Sequence, residues 1–344
     1  MVRVSPEHRL ACHVYAATTT RSPPSPSLLP PSPPPPLLLL RGFGMTKEDS
    51  HQLAAALAAR GQRVVTFDYR ALGESEAPSR RLDGWRLPDL ARDCAGLMRG
   101  LGFAADEGAE GGGSGYSVLG ASMGGYIAQH LALAAAVGAT GGGGSIPLRK
   151  LVLACTHHGG PLCEPPTPEY YALIAETAPP PLDAPKASPE WTAWRAQMRR
   201  LFAVNFSREF AGRGGCVERA GLGFEALLDQ FCACAVRDAA ADASEHARAA
   251  AMGLDARALQ AAAIEEFIRE GVDAARIACP TLVISGDDDR VVPVGNSHKL
   301  HAALAPRATL SIVEGAGHMF WEEQTAAVAR TIADFLRQDD EQPP

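Results

Sequence analysis

Two kinds of segment alternate along much of the chain, short apolar runs and longer amphipathic stretches. The short runs predict buried strands at Leu37–Leu40, Arg63–Phe67, Tyr116–Leu119 and Lys150–Cys155. The amphipathic stretches between them predict helices at Lys47–Ala59, Leu87–Leu101 and Met123–Val137. Strand and helix in alternation at this spacing predict a parallel sheet covered by helices, preceded by two short alternating strands at Met1–Pro6 and Arg9–Ala16.

The rhythm changes in the middle of the chain. From about Gly159 to Gly271 only helical candidates and prolines occur, and the strand pattern returns at Thr281–Ser285 and Thr309–Val313 before a last helix, Thr325–Arg337. We therefore expect a sheet-and-helix core in two parts, 1–158 and 276–344, separated by a helical lid at 159–275.

Three low-complexity tracts interrupt the first part of the core. The tract 22–36 is rich in Pro and Ser, and 108–115 and 138–145 are rich in Gly. Each is expected to be an exposed, mobile connection on the side of the sheet remote from the carboxyl ends of the parallel strands, where long insertions cost little. A proline-rich ligand for a partner domain is the alternative for the first tract.

Charge and hydropathy exclude two classes of partner. The chain has 32 basic and 39 acidic residues, a net charge of −7, and no run of more than two Lys or Arg residues, so no nucleic-acid surface is expected. No apolar stretch reaches the 18 residues or so that a membrane span needs.

The cysteines and the N-terminus favour an intracellular protein. Eight cysteines occur without a CxxC pair, which favours reduced, buried thiols over disulfides or a zinc site. No apolar segment behind basic residues marks a secretory leader, so we expect a cytoplasmic location, with an organelle left open. No metal or cofactor is expected.

The strongest motif is Gly120–Gly125, with the sequence GASMGG, between a predicted strand and a predicted helix. A G-x-S-x-G turn in that context presents a nucleophilic serine, Ser122, above the N-terminus of the helix. A serine hydroxyl needs a base, and His318 lies in a Gly-containing loop directly after a predicted strand. Asp287, Asp288 or Asp289, which follow another strand, supplies the carboxylate that orients the imidazole.

These residues and their order resemble the α/β-hydrolase fold superfamily, and the resemblance covers almost the whole chain outside the low-complexity tracts. It implies a mostly parallel, eight-stranded twisted sheet with helices on both faces and a helical lid. In the loop 286–293, GDDDRVVP, it selects Asp289 as the acid. The loop 315–320 matches the family's histidine loop, and 67–75 resembles the turn after its fourth strand.

The resemblance also implies an oxyanion hole formed by the backbone N–H groups of Phe43 and Met123. Arg41 stands where the family usually has His. The implied activity is hydrolysis of a modest, mostly apolar ester, thioester or lactone, with acyl transfer and carbon–carbon bond cleavage left open.

In the predicted lid, Trp191, Trp194 and Phe202 are candidates to contact the acyl group, although helical spacing also suits packing. The alternative function is a ligand-binding or receptor protein with slow or no turnover, for which Arg41 is the sole support. The oligomeric state is left open.

Overall fold

The computed structural model describes residues 1–5, 8–18, 34–76, 85–104, 115–136, 148–176, 181, 183–212, 224–240 and 256–338. Apart from 34–36 and Gly115, the three low-complexity tracts at 22–36, 108–115 and 138–145 lie outside the described residues. Their expected position and mobility therefore stay predictions.

A seven-stranded sheet forms the centre of the described residues, in the order β3-β5-β4-β6-β7-β8-β9. Strand β3 is antiparallel to β5 and every other pair is parallel, as a mostly parallel sheet requires. The strands are β3 Cys12–Tyr15, β4 Leu37–Leu40, β5 Val64–Phe67, β6 Tyr116–Ala121, β7 Leu148–Ala154, β8 Thr281–Gly286 and β9 Ala308–Val313.

The resemblance implies a sheet of eight strands, whereas the main sheet of the described residues has seven. Two short N-terminal strands, β1 Val2–Arg3 and β2 Arg9–Leu10, pair with each other in a separate antiparallel ribbon. The segment predicted as one strand, Arg9–Ala16, is thus divided, because Leu10 pairs with Val2 whereas Cys12 pairs with Phe67 of the main sheet.

Helices cover both faces of the sheet, and two apolar cores result. One core lies beneath α2 Leu87–Gly100, α3 Met123–Ala136 and α9 Gly295–Leu304, and the other lies beneath α1 His51–Ala58 and α11 Thr325–Arg337. The four leucines of β4 are fully buried because both faces of that strand are covered, which explains a continuous apolar run rather than an alternating one. The helices are α1 His51–Ala58, α2 Leu87–Gly100, α3 Met123–Ala136, α4 Pro168–Glu176, α5 Pro189–Ala203, α6 Arg208–Gly212, α7 Phe224–Ala240, α8 Ala256–Glu270, α9 Gly295–Leu304, α10 Phe320–Glu323 and α11 Thr325–Arg337.

Five of these helices, α4 to α8, lie between β7 and β8, in the segment predicted as a helical lid. Helix α5 begins at Pro189, because the Ser188 hydroxyl accepts a hydrogen bond from the Trp191 N–H and Pro189 occupies the first turn. The predicted boundary between 275 and 276 falls inside the 3₁₀ turn Ala274–Arg276.

A membrane-spanning helix is not found in the described part of the chain, where every helix is too short or too polar for that role.

Candidate active site

Ser122 lies between the last residue of β6 and the first residue of α3, and it has a φ of 56°. This left-handed conformation costs energy for a residue with a side chain, so surrounding contacts must hold it. The Ser122 N–H donates to the carbonyl oxygen of Ala154 at 2.9 Å, and its own carbonyl oxygen accepts from Gly125 N–H and Thr156 Oγ1. The serine is thereby fixed at the carboxyl end of the sheet.

Two glycines beside Ser122 have no room for a side chain. A Cβ added to Gly120 would lie 2.4 Å from the carbonyl oxygen of Gly124, and one added to Gly124 would lie 2.3 Å from that of Leu40. The G-x-S-x-G spacing is therefore a steric requirement of this strand-to-helix turn.

The structure brings Asp289 and His318 together. The Nδ1–H of His318 donates to Oδ2 of Asp289 at 2.8 Å, and both residues are 5% exposed. The other carboxylate oxygen, Oδ1, accepts from the N–H groups of Val291 and Val292, each at 2.8 Å. With Nδ1 donating, Nε2 of the imidazole is left as the acceptor.

The neighbouring aspartates have other partners. Oδ1 of Asp287 accepts from the Ala316 N–H at 3.3 Å, which joins the acid loop to the histidine loop. Asp288 forms an ion pair with Arg208 of the lid. Of the three aspartates, Asp289 is therefore the one hydrogen-bonded to His318.

Opposing effects act on the pKa of His318. Burial by itself lowers this pKa, but the charge of Asp289, its hydrogen bond and the neighbouring Cys155 together raise it well above the ordinary 6.5. The pair thus strongly favours a charged imidazolium once a proton has been accepted.

Sequence reasoning did not identify Cys155, which connects this pair to Ser122. Its Sγ, a carboxylate oxygen of Asp289 and a ring nitrogen of His318 all lie within 4.8 Å of one another. Cys155 directly follows Ala154, the residue that holds the Ser122 N–H, and it has a φ of 41°. Cys155 therefore lies next to the His318–Asp289 pair and directly after the residue that holds Ser122. Its Sγ, the Asp289 oxygen and the His318 nitrogen are spaced so that they could hold a soft metal ion.

The loop after β4 lies directly beside the serine. A Cβ added to Gly42 would lie 3.4 Å from Cβ and 3.7 Å from Oγ of Ser122. In the described part of the chain, the N–H groups of Phe43 and Met123 donate none of the backbone hydrogen bonds found in turns and loops. Phe43 directly follows Gly42, which lies beside Ser122, and Met123 directly follows Ser122, so their role as oxyanion donors stays a prediction that these contacts leave open.

Arg41, the departure from the usual histidine, is 2% exposed, and its guanidinium carbon lies 4.8 Å from the centre of the Trp321 ring. Its Nη2 lies 3.5 Å from Sδ of Met45. Burial lowers the pKa of Arg41, and the charge of the nearby Glu322 opposes this in part. The side chain thus packs between the loop and helix α10, and it leaves the backbone N–H groups of the loop in place.

The three predicted lid residues pack in or against an apolar cluster within the lid. In the described lid, Trp194 and Phe202 are buried in a cluster with Met198, Phe206, Phe224 and other apolar side chains, and Trp191 packs against it. Their contacts are packing contacts, and their role toward substrate stays a prediction.

His157, which lies shortly after strand β7, uses both ring nitrogens in contacts within the fold. Its Nδ1 accepts from the Gly159 N–H at 3.1 Å, and its Nε2 lies 2.8 Å from the Tyr126 hydroxyl. Burial lowers its pKa to about 4, so it is neutral and structural.

The chain is similar in sequence and in structure to known hydrolases. A segment of 64 residues, 19% of this chain, is 42% identical to a poly(3-hydroxyalkanoate) depolymerase of Ectopseudomonas oleovorans, but it spans only 22% of that protein. Among solved structures, an esterase from Exiguobacterium antarcticum is similar with a TM-score of 0.60 and 18% identity over 96% of both chains. A meta-cleavage product hydrolase from Pseudomonas fluorescens IP01 is similar with a TM-score of 0.61 and 17% identity, over 95% of this chain and 94% of that one.

At these identities the solved structures establish the fold. The sequence profile of the alpha/beta hydrolase fold matches residues 35–325, which is most of the chain and includes the serine, aspartate and histidine described above. The chain therefore belongs to the alpha/beta hydrolase fold family.

Proposed function

We propose that this protein is a serine hydrolase that cleaves a carboxylic ester, thioester or lactone through an acyl-enzyme. The observation that carries the proposal is the buried hydrogen bond between His318 Nδ1 and Asp289 Oδ2, at 2.8 Å, next to Cys155, which directly follows the residue that holds the Ser122 N–H. A paired imidazole and carboxylate next to a serine on a strand-to-helix turn is the arrangement that nucleophilic acyl transfer requires.

In this mechanism Nε2 of His318 removes the hydroxyl proton as Ser122 Oγ attacks the substrate carbonyl. Asp289 keeps Nδ1 protonated and stabilises the imidazolium, which the raised pKa of His318 favours. The imidazolium then protonates the leaving group, and water attacks the acyl-enzyme with His318 again acting as the base.

The N–H groups of Phe43 and Met123 are the proposed oxyanion donors. In a trans peptide the C=O and the following N–H point in opposite directions. Because the carbonyl oxygen of Gly42 accepts from the Met45 N–H, the N–H of Phe43 points away from that turn. Met123 is the first residue of α3, where N–H groups lack partners within the helix and the helix dipole is positive.

The proposed substrate is small and has a mostly apolar acyl group. The similarity to an esterase and, over a short segment, to a poly(3-hydroxyalkanoate) depolymerase supports ester cleavage. The similarity to a meta-cleavage product hydrolase is a reason to test a diketone as well. Trp191, Trp194 and Phe202 remain the proposed lid residues toward the acyl group.

The receptor alternative has little support, because Arg41, the one departure in its favour, packs its guanidinium on the Trp321 ring. A cytoplasmic location remains our expectation.

The test is turnover of a panel of short-chain aryl esters, a thioester, a lactone and a diketone by the wild type, Ser122→Ala and Asp287→Asn. We expect ester turnover by the wild type and Asp287→Asn, and a loss of at least about a thousandfold in Ser122→Ala. Ser122→Ala activity above a tenth of the wild type would overturn the assignment of the nucleophile. Turnover of the diketone alone would overturn the proposed bond type.

A further inference from the structure

One residue of the lid segment reaches the loop that carries the proposed oxyanion donor. Gln260, on helix α8, is fully buried, and its Oε1 accepts a hydrogen bond from the Gly44 N–H at 3.0 Å. The two residues are 216 positions apart in the chain, so no local pattern of the sequence places them together.

This hydrogen bond holds a peptide that otherwise has little to fix it. The hydroxyl of Tyr69 holds the carbonyl oxygen of Arg41 at 2.9 Å, and the Met45 N–H holds that of Gly42 at 3.4 Å. The side chain of Phe43 is 47% exposed and provides little packing. Among the described contacts, Gln260 alone holds the N–H of Gly44.

The direction of the Phe43 N–H follows from the peptides on its two sides. The Gly42 turn fixes the peptide before Phe43, and Gly44, with a φ of 66°, takes the chain out of the loop after it. The backbone of Phe43 is therefore restrained on its C-terminal side only while the Gly44 N–H stays hydrogen-bonded to Gln260.

Helix α8 is a rigid support for this contact, because it is anchored on the core. Its Phe267 ring stacks on Tyr126 of α3, with centroids 4.3 Å apart and planes 19° from parallel. Near its C-terminal end the backbone is so close to Gly159 that a Cβ there would lie 2.3 Å from the Phe267 carbonyl oxygen. Glu266 pairs with Arg86 of the core.

The amide of Gln260 is also only half satisfied, since its Nε2 is buried without a hydrogen-bond partner in the described residues. A buried donor without a partner destabilises the folded protein, so packing stability alone favours an apolar side chain here. The orientation of the amide is unambiguous, because only the oxygen can accept from Gly44.

We propose that Gln260 is a positioning residue that, through the Gly44 N–H, aims the N–H of Phe43 at the developing oxyanion. Helix α8 is on this account a fixed part of the oxyanion hole rather than a mobile cover. The inference rests on the proposed function, because it assigns a role within that site.

The test compares Gln260→Met, which keeps the length of the side chain but removes the acceptor, with Gln260→Glu, which keeps an acceptor oxygen. Loss of one oxyanion donor typically costs about 10²–10³ in turnover, and a misaimed donor costs part of that. We expect kcat of Gln260→Met to fall at least tenfold with KM nearly unchanged, and Gln260→Glu to recover most of the loss.

A second readout separates the oxyanion hole from general packing. A trifluoromethyl ketone reacts with the serine to form a tetrahedral oxyanion, whereas the corresponding alcohol does not. Gln260→Met should bind the ketone at least tenfold more weakly and the alcohol as tightly as the wild type does. Glu265→Gln, at an exposed position of the same helix, is the matched control and should leave both affinities unchanged.

Equal ketone affinity in Gln260→Met and the wild type would overturn the inference while leaving the serine mechanism intact. An equal loss for the ketone and the alcohol would also overturn it, because that result indicates a general change of the pocket. A wild type that forms no adduct with the ketone would instead contradict the proposed function itself.

Discussion

Replacing Glu322 with glutamine should make the protein more stable at alkaline pH and leave its stability almost unchanged at acidic pH. Glu322 is 7% exposed, and its Oε2 has no hydrogen-bond partner in the described residues. Burial raises the pKa of this carboxyl to about 7, against the opposing attraction of Arg41. An ordinary glutamate carboxyl ionises near pH 4.5.

The sign follows from which state binds the proton. Between about pH 4.5 and 7 the folded protein holds a proton on Glu322 that the unfolded chain has released. The free energy of unfolding therefore falls as the pH rises through this window and levels off above pH 7. A pKa raised from 4.5 to about 7 corresponds to roughly 3 kcal/mol, at about 1.4 kcal/mol for each pKa unit. That value already includes the attraction of Arg41.

The assay is urea unfolding of the wild type and Glu322→Gln at pH 5 and pH 8. Glutamine does not ionise, so the variant should be more stable than the wild type at pH 8, and the difference should exceed that at pH 5 by about 2 kcal/mol. Glu314→Gln, at an exposed position directly before the histidine loop, is the control and should show no such change. A difference for Glu322→Gln that is the same at both pH values would refute the reasoning.

Three further predictions concern the serine site. Asp289→Asn should lower kcat for an ester by at least about a thousandfold, and Asp288→Asn by less than tenfold, because only Asp289 bonds to His318; kinetics of purified variants decide this, and a larger loss in Asp288→Asn would misplace the acid. As the pH is lowered, kcat/KM should fall with a midpoint well above pH 6.5, because the raised pKa of His318 keeps the base protonated below that midpoint. A midpoint below pH 6.5 would contradict this prediction. Gly120→Ala should lower the free energy of unfolding by about 3 kcal/mol, because its Cβ would lie 2.4 Å from the carbonyl oxygen of Gly124. If the variant has the same thermal unfolding midpoint as the wild type, the turn tolerates a methyl group and the prediction is wrong.

Much of the fold and the surroundings of the serine could be predicted, because their signals are local. The backbone around residues 120–125 leaves no room for side chains at its glycines, so the spacing of these glycines in the sequence indicates the turn directly. The strands and helices could likewise be predicted, because the apolar pattern of each segment reflects which of its residues are buried. The choice of Asp289 among three adjacent aspartates came from the family resemblance, since composition and spacing alone left it open.

Other features could not be predicted, because they depend on contacts between distant segments. Cys155 lies beside His318 and Asp289 because parallel strands end at one edge of the sheet, and nothing around it in the sequence distinguishes it from other buried cysteines. Gln260 contacts a loop 216 residues away. The raised pKa of Glu322 depends on burial that outweighs the attraction of Arg41, and only the folded structure establishes that burial.

The most direct test of the account is covalent labelling with a fluorophosphonate, followed by mass spectrometry of the digested protein. The proposed mechanism predicts one adduct, on Ser122, with none in Ser122→Ala and much slower labelling in His318→Ala than in the wild type. A wild type labelled at another residue, or Ser122→Ala labelled as fast as the wild type, would contradict the central claim that Ser122 is a nucleophile activated by His318.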